Sequence, residues 1–254
     1  MSLASRLRAG ETIYSGWSSM TDTLVMEALC RTRLSAVLLD MQHGAHDTAS
    51  VVALTGVLRS AGKHTAVRVP VGRFDMASRA LDIGAEAVIA PMINTVADAK
   101  LFAAAMKYPP LGERSWGQLR GRPGGYVSGG SGGYLEQTNT DTLAFAMIET
   151  RAAYEALDDI LAVDGIDGIF VGPSDFSIAW SNGTEVNAGS EAIIEPLTEI
   201  ARRSKAAGKL AGIYAGNAAL AKRFSALGFT YLPLAVDTTY LTDGVQSLLN
   251  EIEV

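Results

Sequence analysis

The sequence predicts an α/β fold, a closed (β/α)8 TIM barrel formed by a single domain, residues 1–254. Three observations predict it: short apolar runs recur along the chain, helical patterns separate most of them, and several of those patterns end in glycine. Repeats of this kind over about 250 residues fit such a barrel. The predicted strands are the eight apolar runs 12–17, 36–40, 65–69, 87–91, 144–149, 168–172, 210–215 and 231–236.

The helical patterns between these runs support the barrel. Glycine follows several of them, at Gly62, Gly84, Gly208 and Gly228, where a left-handed helix end favours it. A doubly wound open sheet is the alternative fold, and it is weakened because no G-x-G-x-x-G follows the first strand. No shift in composition marks a domain boundary. Clear helical patterns are 21–31, 48–61, 74–83, 96–106 and 218–227.

Composition limits the functional class. Hydrophobic residues make up 48% of the chain, which is ample for a packed core, and the net charge of -6 argues against a nucleic-acid or anionic-membrane surface. Cys30 is the only cysteine, so no intrachain disulfide can form, as expected in a reducing cytoplasm. The N-terminal segment has no apolar stretch typical of a signal peptide, and no apolar run is long enough to span a bilayer. A cytoplasmic protein is expected.

The stretch 145–175 is organised as strand, helix, strand, and this crossover predicts two parallel strands in one sheet. Glu149 and Asp175 then lie just past the carboxyl ends of those strands, the edge where parallel α/β sheets place their chemistry. Two converging carboxylates repel each other unless a cation lies between them, and hard divalent metals prefer oxygen ligands. The alternative is that each carboxylate caps the helix that follows it. Spacing alone leaves both interpretations open.

His43 follows the second strand in D-M-Q-H-G, and Asp40 ends that strand. A carboxylate near a histidine can hold the imidazole in one tautomer and raise its basicity, which suits a general base. The alternatives are a loop histidine satisfied by its neighbour, or a helix N-cap built on Asp40. Asp47 or Thr48 is the expected cap of the next helix.

Other strand ends carry candidate binding groups. Arg68 ends the third strand, and a guanidinium at a barrel mouth needs an anion such as a carboxylate or an enolate. A salt bridge to a neighbouring strand-end carboxylate is the alternative. The turn at Gly172 and Ser174 offers backbone N–H groups to a small anion. Trp17 ends the first strand and would form either an apolar wall or ordinary core.

Two connections are too long for plain loops, 92–143 and 174–209. The first contains a helix and then a glycine-rich stretch that passes through 121–125 to 132–133. It has no G-K-[ST], so it is not a phosphate-binding P-loop. A surface loop and a lid over the carboxyl-terminal face are the two interpretations, and its position after a strand favours the lid. The second connection holds a helix near 192–207.

Several segments share their order and spacing with one enzyme family. They are L-L-D-M-Q-H-G, V-R-V-P, L-D-I-G-A-E-A-V-I-A-P-M-I-N-T, Y-P-P-L-G-E-R-S-W-G, M-I-E-T-R and G-I-D-G-I-F-V-G-P-S-D. On these segments, nearly the whole chain resembles the HpcH/HpaI aldolases, the metal-dependent class II pyruvate aldolases. The resemblance implies a phosphoenolpyruvate/pyruvate-type barrel, usually a homohexamer whose last helix is exchanged between subunits. It favours a divalent metal, Mg, Mn or Co, over helix capping.

The resemblance also implies roles for individual residues. Gln42 departs from the glutamate that many members carry before the histidine, and the glycine-rich loop around Gly129 is longer than expected; both bear on substrate preference. The matched positions are Glu149 and Asp175 for the metal, Arg68 for the enolate, His43 with Asp40 for the acid–base pair, Gly172 and Ser174 for the substrate carboxylate, and Asp82 for the site of a neighbouring subunit.

The implied reaction is reversible aldol cleavage of a 4-hydroxy-2-oxo acid into pyruvate, or hydroxypyruvate, and an aldehyde. Metal catalysis is favoured over a Schiff base because no lysine ends a predicted strand. His43 would move the proton of the 4-hydroxyl. One alternative is a citrate-lyase-like enzyme that cleaves β-hydroxyacyl-CoA esters, although no basic cluster for CoA phosphates is evident. Another is a barrel that binds a 2-oxo acid without turnover.

Overall fold

A computed structural model describes residues 1–117, 119 and 130–252. Within them, eight parallel strands form a closed barrel in chain order, and the last strand pairs with the first. The strands are β1 (Ile13–Ser18), β2 (Ala36–Asp40), β3 (His64–Arg68), β4 (Ala87–Ala90), β5 (Leu143–Ile148), β6 (Gly168–Val171), β7 (Leu210–Ile213) and β8 (Tyr231–Leu234). The helices are α1 (Leu3–Arg8), α2 (Thr23–Cys30), α3 (Thr48–Ser60), α4 (Phe74–Ile83), α5 (Val96–Met106), α6 (Gly130–Asp141), α7 (Arg151–Glu155), α8 (Leu157–Leu161), α9 (Pro173–Trp180), α10 (Ile194–Ala206), α11 (Ala218–Leu227) and α12 (Asp237–Ile252).

The barrel confirms the predicted fold. Its strands are covered by side chains inside and by helices outside, so they are nearly continuous apolar runs. Every strand lies within two residues of its predicted bounds, and β2 matches them fully. Glu149 and Gly172 fall one residue beyond β5 and β6, at the edge where the sequence places the candidate site.

Local sequence signals set several helix ends. Gly84 and Gly228 end α4 and α11 with φ angles of 114° and 107°, a left-handed conformation that glycine adopts without strain. Asp47 caps α3 as expected, because its side chain accepts a hydrogen bond from the N–H of Ser50. The single helix predicted between β5 and β6 is instead two short helices, α7 and α8.

The amino-terminal end of the barrel is closed by α1, a helix that was not among the predicted elements. Leu3, Ala4 and Leu7 are buried and pack with the inner barrel side chains. The N–H of Leu3 donates to Glu86 Oε2 at 2.8 Å, so a buried carboxylate also anchors the helix. This closed end leaves the opposite, carboxyl-terminal mouth for a site.

The glycine-rich connection before β5 was predicted to be a loop, and this prediction is partly wrong. Gly132 and Gly133 belong to α6, in which Tyr134 and Thr138 are buried. Packing of these side chains offsets the low helix propensity of glycine. The proposed lid at 121–125 and the loop around Gly129 lie outside the described residues. Among the described residues, no helix is long and apolar enough to cross a membrane.

Candidate active site

A cavity of about 400 Å³ opens at the carboxyl-terminal mouth of the barrel. It has an acidic side, a basic group and an apolar wall. Its lining residues come from the ends of β1, β2, β3, β5 and β6 and from the segments that follow β1, β2, β5, β6, β7 and β8. They are Trp17, Ser19, Asp40, His43, Arg68, Met147, Glu149, Phe170, Gly172, Pro173, Ser174, Asp175, Tyr214 and Val236.

Glu149 and Asp175 line the same cavity. Glu149 is only 3% exposed, and its Oε2 accepts a hydrogen bond from the N–H of Met92 at 2.8 Å. Burial raises the pKa of Glu149 to about 7, and the charge of Asp175 adds to the increase, whereas the N–H of Met92 and the charge of Arg68 oppose it. The charged form of Glu149 is therefore only partly compensated, and a cation beside both carboxylates would supply the remainder.

Neither carboxylate caps its helix in the way the alternative interpretation required. Thr150 is the N-cap of α7, and its side chain accepts from the N–H of Ala153. Gly172 is the N-cap of α9, and that position has no side-chain cap hydrogen bond. Both carboxylates thus remain directed to the cavity they line.

Arg68 and Asp40 form a buried, bidentate ion pair. Arg68 Nε lies 2.9 Å from Asp40 Oδ1, and Nη2 lies 2.6 Å from Oδ2. The guanidinium also stacks on Trp17, with Cζ 4.6 Å from the ring centroid, and Trp17 Nε1 donates to Asp40 Oδ2 at 3.2 Å. Burial raises the pKa of Asp40, but the bonds from Arg68 and from backbone N–H groups outweigh it, so the pKa is lowered. The salt-bridge interpretation of Arg68 is confirmed, and Trp17 is both core and cavity wall.

Asp40 does not hold the imidazole of His43. Its Oδ1 accepts instead from the backbone N–H groups of Gln42 at 3.0 Å and His43 at 3.4 Å. The reason is the sheet register, because Asp40 and Arg68 are direct partners of β2 and β3. His43 is exposed and lines the cavity, and its ring makes no hydrogen bond within the part of the chain that the structure describes. Its acid–base role stays a prediction.

The turn after β6 presents backbone groups to the cavity. Gly172, Pro173 and Ser174 line it, and Ser174 lies in the first turn of α9, where N–H groups lack intrahelical partners. A Cβ on Gly172 would lie 2.5 Å from Glu149 Oε1, so only glycine lets that carboxylate approach the turn. The turn can therefore receive a small anion close to the acidic pair.

Asp82 lies outside this cavity. It belongs to α4, and its Oδ1 accepts from Nη2 of Arg114 at 2.8 Å. Arg114 is buried and also stacks on Tyr108, with Cζ 4.6 Å from the ring centroid. A role for Asp82 in a site must therefore be in the site of another subunit, which stays a prediction.

Part of the cavity wall carries no signal that sequence patterns revealed. Met147 and Phe170 face it from inside β5 and β6, and their positions in apolar runs gave no functional signal. Tyr214 and Val236 follow β7 and β8 directly or closely, so the strand-end rule that selected Arg68 could have found them. Tyr214 packs edge-on against Trp17, with ring centroids 5.0 Å apart. The wall is therefore mainly apolar, with one phenol.

The arrangement suits chemistry in which negative charge develops on an oxygen of a small acid. Two carboxylates can hold a cation, and Arg68 supplies a fixed positive charge in the same cavity. Among the described residues, no group of three or more His, Cys, Asp or Glu side chains forms a metal cluster. A cation on two carboxylates retains open positions for substrate oxygens, as Mg²⁺ commonly does.

Known proteins resemble this chain over most of its length. The family model for HpcH/HpaI aldolase/citrate lyase matches residues 15–243. The chain is 35% identical over 240 residues to a hydroxypyruvate/pyruvate aldolase of Rhizorhabdus wittichii, covering 94% of each chain. It is 31% identical over 243 residues to a 2-keto-3-deoxy-L-rhamnonate aldolase of Salmonella gallinarum, covering 96% of this chain and 90% of that relative.

A solved structure gives the same result. The crystal structure of an HpcH/HpaI aldolase from Desulfitobacterium hafniense superposes with a TM-score of 0.89 at 25% identity, covering 100% of this chain and 97% of the other. The aldolase names of the relatives, at 31% and 35% identity over most of the chain, confirm the prediction of a carbon–carbon lyase. The chain belongs to the HpcH/HpaI aldolase/citrate lyase family.

Proposed function

We propose that this chain catalyses reversible, metal-dependent aldol cleavage of a 4-hydroxy-2-oxo acid into pyruvate, or hydroxypyruvate, and an aldehyde. One observation carries this function: Glu149, Asp175 and Arg68 line one cavity at the barrel mouth. The names of the two relatives support an aldol reaction and favour it over cleavage of a β-hydroxyacyl-CoA ester. A cytoplasmic location fits the composition and is part of the same proposal.

Glu149 and Asp175 would hold the divalent cation, Mg²⁺, Mn²⁺ or Co²⁺. The donor set fits, because both groups offer the oxygen ligands that such cations prefer, and burial raises the pKa of Glu149 more than Met92 and Arg68 lower it. When bound, the cation supplies Lewis-acid stabilisation of the charge that develops on the C2 oxygen of the 2-oxo acid.

Arg68 would support the same developing charge within the cavity. Its Nε and Nη2 are occupied by Asp40, while no group among the described residues bonds Nη1. This nitrogen keeps its donors for a substrate oxygen. Asp40 and Trp17 hold the guanidinium in place, so its position does not need to reorganise during the reaction.

The remaining groups bind the substrate and move its proton. The N–H groups of Gly172 and Ser174 would bind the substrate carboxylate at the start of α9. His43 would take the proton of the 4-hydroxyl when the C3–C4 bond breaks, and return it in the condensation direction. Trp17, Tyr214 and Val236 would form the wall beside the aldehyde portion.

The active form would be a homo-oligomer, a hexamer in which the carboxyl-terminal helix is exchanged between subunits. Support comes from the apolar face that α12 exposes to solvent in the single chain. Its exposed apolar residues are Leu241, Val245, Leu248, Leu249 and Ile252. Such a face is typical of a helix that packs on another chain. Asp82, which does not line the cavity of its own chain, would then reach a neighbouring site.

Metal removal tests this function directly. Protein treated with a chelator should not cleave a 4-hydroxy-2-oxo acid, and Mg²⁺, Mn²⁺ or Co²⁺ should restore cleavage, measured as pyruvate and aldehyde released. Pyruvate and hydroxypyruvate should be assayed separately with a panel of aldehydes in the condensation direction. Asp175→Asn should bind the cation more weakly and require more of it. Full activity after verified metal removal would contradict the metal role, and binding of a 2-oxo acid without turnover of any aldehyde would indicate a non-catalytic barrel.

A further inference from the structure

Asp237, the first residue of α12, holds the loop that follows β1. Its carboxylate is buried and accepts five hydrogen bonds. Oδ2 accepts from Ser18 Oγ, Ser19 N and Met20 N, each at 2.9 Å, and Oδ1 accepts from Ser19 Oγ at 2.6 Å and Thr238 N at 3.0 Å. Three of the five donors belong to Ser19 and Met20 of the loop, and a fourth belongs to Ser18 at the end of β1, so this carboxylate fixes both backbone and side chains there.

The loop held by Asp237 packs directly on the turn that carries His43. The carbonyl oxygen of Ser19 accepts from the N–H of Ala45 at 2.9 Å. A Cβ on Gly44 would lie 3.0 Å from the Cα of Ser19 and 2.4 Å from the carbonyl oxygen of Asp40. The turn is thus enclosed between the two strand ends, and its position depends on where Ser19 lies.

A second contact connects the same loop to the far end of the turn. His46 is buried, with Nε2 3.0 Å from Ser18 Oγ and Nδ1 3.3 Å from Ser50 Oγ. Ser18 Oγ can accept from Nε2–H while it donates to Asp237, which makes Asp237, Ser18 and His46 one chain of hydrogen bonds. Burial lowers the pKa of His46, so this imidazole is neutral at neutral pH.

We propose that Asp237 is a positioning residue that sets the place of the His43 imidazole at the cavity mouth, given the proton transfer proposed above for His43. Asp237 does not line the cavity, and protein donors surround both its oxygens, so it acts through Ser19 and the turn. Proton transfer depends steeply on the placement of the base. Arg68 lies on β3 and is held by Asp40, so charge stabilisation does not depend on this loop.

Two reactions at the same site distinguish a loss of activity caused by misplacement of His43 from one caused by general damage to the site. In aldol cleavage, a base removes the 4-hydroxyl proton, the O–H electron pair forms the aldehyde carbonyl, and the C3–C4 pair forms the enolate. In decarboxylation of oxaloacetate, C4 leaves as CO2 and the C3–C4 pair forms the same pyruvate enolate, with no hydroxyl proton to remove. Each enolate then takes a proton from water at C3. Only the first reaction needs the proton transfer by His43.

The decisive variant is Asp237→Asn, assayed with saturating Mg²⁺. An amide keeps the volume, but its NH2 group cannot accept the hydrogen bonds that one carboxylate oxygen accepts, so at least two of the five bonds are lost and the loop is held less firmly. We expect kcat for aldol cleavage to fall about 10- to 100-fold, with KM within about twofold and oxaloacetate decarboxylation within about threefold of wild type. Asp243→Asn, the same change at an exposed site of α12, should leave both reactions unchanged.

Ser18→Ala provides a second variant in case Asp237→Asn does not fold. It removes one donor to Asp237 and the contact with His46, and it should show a smaller loss with the same selectivity. Thermal melting of each variant verifies the fold. The inference is overturned if folded variants cleave at the wild-type rate or lose both reactions equally. If wild type itself cleaves no 4-hydroxy-2-oxo acid, the proposed function fails first and the role of Asp237 fails with it.

Discussion

Folding disfavours the charged form of the Glu149 side chain. It is nearly fully buried, and the N–H of Met92 is its hydrogen-bond donor. Its pKa in the folded protein is about 7, above its ordinary value of 4.5. A pKa raised by folding means that this group favours the fold fully below about pH 4.5 and that the contribution is lost as the pH rises through about 7. A cation that binds the charged carboxylate offsets this unfavourable free energy, which increases the affinity of the site for the cation.

Glu149→Gln should therefore make the metal-free protein more stable at high pH. Glutamine stays neutral, so the variant should gain on the order of 3 kcal/mol over wild type at pH 8 and little at pH 4.5. Chemical denaturation in the presence of a chelator measures this, with Glu155→Gln as an exposed control on α7. Adding Mg²⁺ should reverse the order by stabilising wild type alone. A stability difference that does not change with pH would contradict the buried-charge explanation.

Arg68 combines a structural and a chemical task in one guanidinium. Complete removal would leave Asp40 buried and unpaired, which costs about 3–5 kcal/mol and confuses folding with chemistry. Arg68→Lys keeps a positive charge next to Asp40 but loses the two-pronged bond and the flat contact with Trp17. The variant therefore tests the geometry of the positive charge while the charge itself is retained.

We expect Arg68→Lys to fold and to lose at least about 100-fold in kcat, because the developing charge would no longer meet a fixed donor. In steady-state kinetics, kcat for aldol cleavage and kcat for oxaloacetate decarboxylation should fall together. This differs from the result expected for Asp237→Asn. Arg151→Lys is a matched control, since Arg151 also stacks on a tryptophan, Trp180, at 4.5 Å but lies away from the cavity. Near-normal turnover in Arg68→Lys would show that Arg68 serves only in the salt bridge with Asp40.

At the scale of elements, local patterns were sufficient for the barrel and for the strand ends. Apolar runs gave the strands because both strand faces are buried, and polar residues at their ends gave Glu149, Arg68 and Asp175. The pairing of Asp40 was different. The sequence suggested His43, three residues away, whereas the register between β2 and β3 places Arg68 directly opposite. Proximity along the chain is therefore a weak guide to side-chain pairing when a residue of the neighbouring strand can form the same pair.

Elements defined by distant contacts could not be predicted from local patterns. The helix α1 depends on burial of Leu3 and Leu7 against the barrel interior, and nothing nearby in the sequence reveals that surface. Similarly, Asp237 meets Ser18 only because β8 closes on β1, more than 200 residues apart in the chain. These features need the closed topology first, so they follow from the structure rather than from periodicity.

The closing helix α1 gives a prediction at this scale. Leu3→Ala should destabilise the protein by about 2–5 kcal/mol, because it removes buried methyl groups and leaves a cavity at the amino-terminal end of the barrel. The values of kcat and KM should remain within about twofold of wild type, since the site is at the other end. Chemical denaturation and steady-state kinetics test both parts. Leu24→Ala, at a residue that is 73% exposed on α2, is the control and should change neither. A large loss of turnover in Leu3→Ala would show that the two barrel ends are coupled.

At the scale of the whole molecule, the single chain leaves two features without a function. One is the apolar face of α12, where Leu248 is 63% and Ile252 is 78% exposed. The other is Asp82, which pairs with Arg114 and does not line the cavity of its own chain. Packing of α12 on a partner would bury the first, and an oligomer that brings Asp82 to a neighbouring mouth would explain the second. Asp237 begins α12, so the same helix that would reach a partner also holds the loop beside His43.

Mixing two inactive variants tests this shared site. Asp82→Ala and Arg68→Lys, unfolded and reassembled together, should recover about a quarter of the wild-type activity, because random assembly places an intact Arg68 beside an intact neighbouring Asp82 in that fraction of sites. Arg68→Lys mixed with Glu149→Gln is the control. Both residues line one chain's cavity, so no mixed oligomer of that pair contains an intact site. Sedimentation must show mixed oligomers in each case, and Leu248→Asp should dissociate them and reduce activity on dilution. Recovery equal in both mixtures, or a fully active monomer, would remove Asp82 from the site.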